Sequence, residues 1–300
     1  MRCATAALML AQALSAISLG AQVTLDQMTS PHSHPAVASE AYSDSLVEFA
    51  INARLGTEVF RDQSAAIDGG YKRIGMDFPS MGEHWVNTWV LYEGHFDVTR
   101  PAMLSYATIE GKPVLTGLVY ALLLRPGEQP PSVPGGGGVW HDHSGTLSDE
   151  SALPTHHGGM SDTSATRLVV LHAWVGVPNP AGLFEADNWA LPYLRAGVRV
   201  PNPLSISAAR ALSLLTGAKE YYVALAEAEG ATRSAVVPAL DWCANVAAPI
   251  AARMRVNGRS SPADLAALED AWRSAMQRIA AASGASVAAR LNGGKVPASD

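Results

Sequence analysis

Histidine carries the most legible chemistry in this chain. His141 and His143 flank Asp142. In an extended segment, residues two apart point the same way, so both imidazoles can bind one ion. His172 lies in the apolar run Leu168–Val177. Strand alternation there puts Leu168, Val170, His172 and Trp174 on one face and Val169, Leu171, Ala173 and Val175 on the other. Both faces are apolar, so the strand is expected to be buried. A buried imidazole must be hydrogen-bonded, paired or metal-bound, because an unsatisfied polar group costs about 1–3 kcal/mol. His84 follows Met81-Gly82-Glu83. Glu83 is a candidate second ligand or orienting carboxylate. An extended backbone nevertheless turns Glu83 and His84 to opposite sides.

Each histidine element carries a tryptophan: Trp85, Trp140 or Trp174. The sharp reading is one pocket, with His84 and His172 at its base, His141 and His143 closing over it, and Glu83, Trp85, Trp140 and Trp174 around it. The bland reading is neutral core histidines bonded to backbone carbonyls, and a solvated loop. A further tract, His156-His157-Gly158-Gly159-Met160, pairs imidazole with thioether and suits copper. A cupin-like order of His141, His143, Glu150 and His172 is only a loose echo, because the glutamate comes too late. Nucleophile elbow, P-loop, dinucleotide glycine fingerprint and zincin helix motifs are all missing from the sequence. Cys243 lies on an apolar helical stripe and reads as a small core residue.

Positioning these side chains requires a β-rich centre. A helical pattern covers Ser39 to Ile67 and stops at Asp68-Gly69-Gly70. Strand-like segments follow at Trp85–Tyr92, Ala102–Thr108, Val114–Leu124 and Arg167–Val177. Glu110-Gly111-Lys112-Pro113 predicts a tight hairpin between the second and third. The Pro/Gly/His-rich stretch 126–162 is too long and polar for an ordinary connection. From Ser205 the chain turns Ala-rich. Apolar stripes around Ala211–Leu225, Val236–Met254 and Leu265–Ile279 predict three helices, the last started by Ser261-Pro262, with Pro249 kinking the second.

Bulk properties bound the function. Charged residues make up 16% and apolar residues 48% of 300, enough for a sizeable core. A net charge of -6 without a basic run argues against nucleic acid and anionic membranes as partners. Arg2, the Ala/Leu-rich run and Ser18-Leu19-Gly20 read as a secretion signal over 1–20. No transmembrane segment is expected after its removal. Cys243 alone would then remain, so no intrachain disulfide is expected.

The motifs taken in order resemble a family of exported bacterial proteins of unknown function. Its members read MGxHxxN, then FDxxRPxxLxY, then LHxWxxxxNPxGxF with a downstream Asn. The matching residues are Met81-Gly82-Glu83-His84-Trp85-Val86-Asn87, Phe96–Pro101 with Leu104 and Tyr106, Leu171–Trp174, Asn179–Phe184 and Asn188. The resemblance covers roughly residues 40 to 190. It implies a helix plus a small β-rich core, with His84 and His172 as the motif histidines, and brings no activity with it.

The expected fold is therefore α+β. It comprises an antiparallel β core, open or barrel-like, an N-terminal helix and a C-terminal three-helix bundle. Residues 1–20 read as signal, 21–38 as linker, 39–200 as the core, 201–292 as the helical extension and 293–300 as a tail. The expected function is an exported protein binding zinc, copper or a small ligand at the His/Trp site, with no nucleotide cofactor. A metal-assisted hydrolase or oxygenase with Glu83 or Asp142 as base is one alternative. A structural or interaction protein without a metal site, forming homo-oligomers through exposed helix faces, is another.

Overall fold

A computed structural model of the chain describes residues 44–135, 139–143 and 166–293. The signal, the linker, residues 294–300 of the tail, Glu150, His156, His157 and Met160 lie outside the described residues. The order is α1 (Asp44–Thr57), a 3-10 turn (Glu58–Arg61), α2 (Gln63–Asp68), β1 (Lys72–Phe78), β2 (Gly82–Val86), α3 (Thr88–Glu93), β3 (Met103–Ile109), β4 (Lys112–Leu124), β5 (His141–Asp142) and β6 (Arg167–Ala173). The helices α4 (Leu191–Arg195), α5 (Ile206–Ser213), α6 (Lys219–Ala228), α7 (Arg233–Asn257), α8 (Pro262–Ser283) and α9 (Ala285–Leu291) follow.

The strands form one antiparallel sheet in the order β1-β2-β3-β4-β6-β5. The fold is α+β, and the sheet is open rather than a barrel, with β1 and β5 as its edges. The expected hairpin joins β3 to β4. Its turn residues Glu110 and Gly111 have φ of 51° and 75°, the left-handed pair that matches strand twist.

Alternation divides the sheet into two faces. One carries Leu104, Tyr106, Leu118, Tyr120, Leu122, Val169 and Leu171 and is covered by α1 through Phe49 and Ala53. Phe49 meets Tyr120 and Phe184 edge-on at 5.9 and 5.0 Å, a favourable aromatic geometry. The opposite face carries Val119, Ala121 and Val170 beneath Val90 of α3. Toward the chain's helical half, that face continues into a cluster of Phe78, Met81, Trp174, Val177 and Leu191.

Two strand expectations change. Trp85–Tyr92 is not one strand, because Asn87 accepts hydrogen bonds from the Trp89 and Val90 amides and starts α3. An N-cap outweighs the strand propensity of Trp, Val and Tyr. The strand after His172 ends at Ala173, where Gly176 lies so close to Leu115 that a Cβ would strike its carbonyl.

The helical half has its own core, from Tyr193 through Leu212, Tyr222, Leu240 and Trp272 to Leu291. The first expected helix is split by a 3-10 turn at Leu214–Thr216 and Gly217. The second, α7, runs through both Pro238 and Pro249. Among the described residues, α7 is also long and apolar enough to cross a membrane by length and composition alone. Its stripe Val236, Leu240, Cys243, Ala247, Ile250 and Met254 is buried in the helical core. Ser261 caps α8 as expected, bonding the Asp264 amide at 3.1 Å.

Candidate functional site

The pairing register explains how distant histidines meet. His84 on β2 lies opposite Ser105 on β3, which lies opposite Gly117 on β4. The adjacent row runs Val86, Met103, Val119 and His172. Cross-strand partners share a face, so His84 and His172 project from the same side. Two strands separate them, yet their ring centroids are 5.8 Å apart and nearly perpendicular. Ser105 and Gly117 make this possible: a side chain of two heavy atoms and one of none leave the gap over which both imidazoles lean.

The edge strand adds more. His141 pairs with Val170, a residue of the same face. Its ring stacks on His172 at 5.3 Å with a 16° interplanar angle. The His143 amide donates to the Leu168 carbonyl at 2.7 Å, and its ring lies 5.1 Å from that of His141. All four sequence-predicted histidines thus gather on one face.

Burial grades across the group. His84 is 8% exposed and His172 2%, while His141 and His143 are half-buried. Phe78 packs edge-on against His84 at 5.4 Å and leads to Tyr221 of α6 at 5.6 Å. Desolvation pushes the His84 imidazole down to about 4, with the Asp77 carboxylate acting in the opposite sense. Asp77 is itself held by Arg195, at 2.8 and 2.5 Å. His84 is therefore a neutral imidazole at neutral pH, the form that ligates metals.

The predicted walls divide. Trp174 stacks beside His172 at 6.0 Å. Its ring lies where a Cβ on Gly117 would come within 3.0 Å, so Gly117 also makes room for it. Trp85 is on the α1 face, against Tyr106 at 5.9 Å, and Trp140 packs with Phe96 in the same core. Glu83 lies on Trp85's side of the sheet, bridged to Arg73 at 3.0 Å. These three residues do not line the histidine face. The reason is parity: each adjoins a histidine in an extended segment and so points the other way.

Other motif residues have structural duties. Gly82 has φ +76° and backs onto the Tyr106 carbonyl, where no Cβ fits. Asn87 caps α3 and also donates to the Gly69 carbonyl at 2.9 Å. Asp97 accepts from the Thr99 amide at 2.8 Å, and Tyr71 donates to Pro101. Asn179 donates to the Asp187 carbonyl, and the fully buried Asn188 donates to that of Val177. Sequence reasoning missed Ser105, Gly117 and Phe78. The signal for the first two is a small residue in each central strand, in register with His84.

Among the described residues, no three His, Cys, Asp or Glu side chains are grouped so as to hold one metal ion. The stack of His141 on His172 keeps the nitrogen lone pairs of the two rings in nearly parallel planes about 5.3 Å apart at the centroids. No family model, no curated protein and no solved structure matches this chain.

Proposed function

We propose that the chain is an exported binding protein whose histidine face takes up a metal ion, zinc or copper. One observation carries this reading: imidazoles from β2, β5 and β6 meet on one face of the sheet across Ser105 and Gly117. Three further features support it. Burial keeps His84 neutral. Imidazole is a ligand that both zinc and copper favour. The Arg2-led apolar N-terminus fits export. The family resemblance rests on its motif residues alone, two of which are His84 and His172.

Uptake requires the His141–His172 stack to open, so that the ring nitrogens converge. His84, His172, His141 and His143 would hold the ion, with Trp174 shielding one side. A small apolar ligand between the imidazoles and Trp174 is the competing occupant. The hydrolase reading gains no base here: Glu83 is across the sheet and paired with Arg73, and Asp142 alternates away from His141.

Titration of the chelator-stripped protein with zinc and with copper against a chromophoric competitor tests the proposal. One equivalent should bind, and a His141→Ala/His143→Ala variant should bind at least about a hundredfold more weakly, since each of the two lost ligands removes over about 1.4 kcal/mol. Those residues are half-buried, so the variant should fold. No binding by the wild type at micromolar metal would reject the metal reading. Binding unaffected in both this variant and His172→Ala would place the metal elsewhere.

A further inference from the structure

A second site lies in the helical half. A cavity of about 510 Å³ opens between α5, α8 and α9, within the size range of small-molecule sites. Arg210 of α5 lines it, together with Gln277, Asn292, Trp272, Met276 and Ala280.

Arg210 differs from the other arginines whose side chains are wholly or partly buried. Arg195 is paired with Asp77, Arg290 with Glu229, and Arg167 donates to the Glu128 carbonyl. The Arg210 guanidinium stacks on Trp189, its Cζ 4.7 Å from the ring centroid. It makes no hydrogen bond or ion pair among the described residues, and its Nε is fully shielded without an acceptor. Burial pulls its pKa down, opposed by Tyr222, Asp187 and Tyr221. A guanidinium does not escape burial by deprotonating. A desolvated charge without a counter-charge is costly.

The cavity wall complements an anion with an apolar body. The Trp272 indole donates to Asn292 Oδ1 at 2.7 Å, which fixes that oxygen as acceptor and leaves Asn292 Nδ2 as a donor. Glu269, also on the wall, is engaged by Ser205 at 2.6 Å and is not paired with Arg210. Trp272, Met276 and Ala280 supply apolar surface. We propose that this cavity binds a small organic carboxylate, its anionic end on Arg210 and its apolar body against Trp272 and Met276.

The test is thermal unfolding and calorimetric titration of the full chain with sodium benzoate, with benzamide as the neutral isostere and sodium chloride at matched ionic strength. Benzoate should raise Tm and give saturable binding, while benzamide should not. Arg210→Met should weaken benzoate binding at least about tenfold while leaving Tm without ligand unchanged or higher, because the variant removes an uncompensated charge. Ala280→Phe, which keeps Arg210 and fills the cavity, should also abolish binding. No benzoate binding at millimolar concentration, equal binding of benzamide, or undiminished binding by a folded Arg210→Met protein would each overturn the proposal.

Discussion

The sheet and the helical half treat buried polarity in opposite ways. The sheet buries imidazoles, and His84 meets the desolvation cost by staying neutral. The helical half buries the Arg210 guanidinium, which has no neutral form to adopt. The neutral His84 imidazole can therefore pack against the His172 ring and Phe78 at 5–6 Å, as ordinary aromatic contacts. Among the described residues the Arg210 guanidinium has no ion pair, which is why we place the anion of a ligand on it. The same physical cost thus meets a side chain that can shed its charge in one region and one that cannot in the other.

The strongest way to break the comparison is to spoil the small-residue gap. Gly117→Val should destabilise the protein by about 3 kcal/mol or more, since its Cβ would already press on the Trp174 ring and the Ala173 carbonyl. Chemical denaturation should show this as a lower midpoint at unchanged slope. A wild-type midpoint would mean that the histidine face is looser than described.

The next effect sharpens the neutrality of His84. Its folded pKa of about 4 lies below the ordinary 6.5. Between those values the unfolded chain binds more protons than the folded one, so stability falls as pH drops from about 6.5 toward 4. The loss should reach about 3 kcal/mol. Urea unfolding of metal-free protein across that window, with His84→Phe as control, measures it. The control should lose most of the dependence; an equal slope in both would place the titrating group elsewhere.

A smaller effect concerns the other region. Arg210→Met should change stability by between about 0 and 2 kcal/mol, in the stabilising direction. A destabilisation of similar size would mean that the Trp189 stack outweighs the burial cost.

Parts of this were legible in the sequence for plain reasons. Strand parity in Leu168–Trp174 placed His172 beside Trp174, and the Glu110-Gly111 turn announced its hairpin. Parity also turned Glu83 away from His84; applied to Trp85 and Trp140, it sends them to the opposite face as well, so sequence adjacency to a histidine was the wrong signal for them. β1 escaped notice because Lys72, Arg73 and Asp77 lie on an exposed edge and show no apolar alternation. Which histidine faces which depends on the β2-β3-β4-β6 register, a long-range property that no local pattern encodes. Arg210 was invisible for a similar reason: an arginine on a short helix reads as solvated until α8 and α9 close over it.

The most direct test of the histidine face is elemental analysis by plasma mass spectrometry of protein purified without an affinity tag or chelator. The expected result is one equivalent of zinc or copper per chain, lost in a folded His172→Ala variant. Metal-free wild-type protein that also fails to take up either ion on reconstitution, with His172→Ala folding normally, would contradict it and make the four histidines part of the core alone.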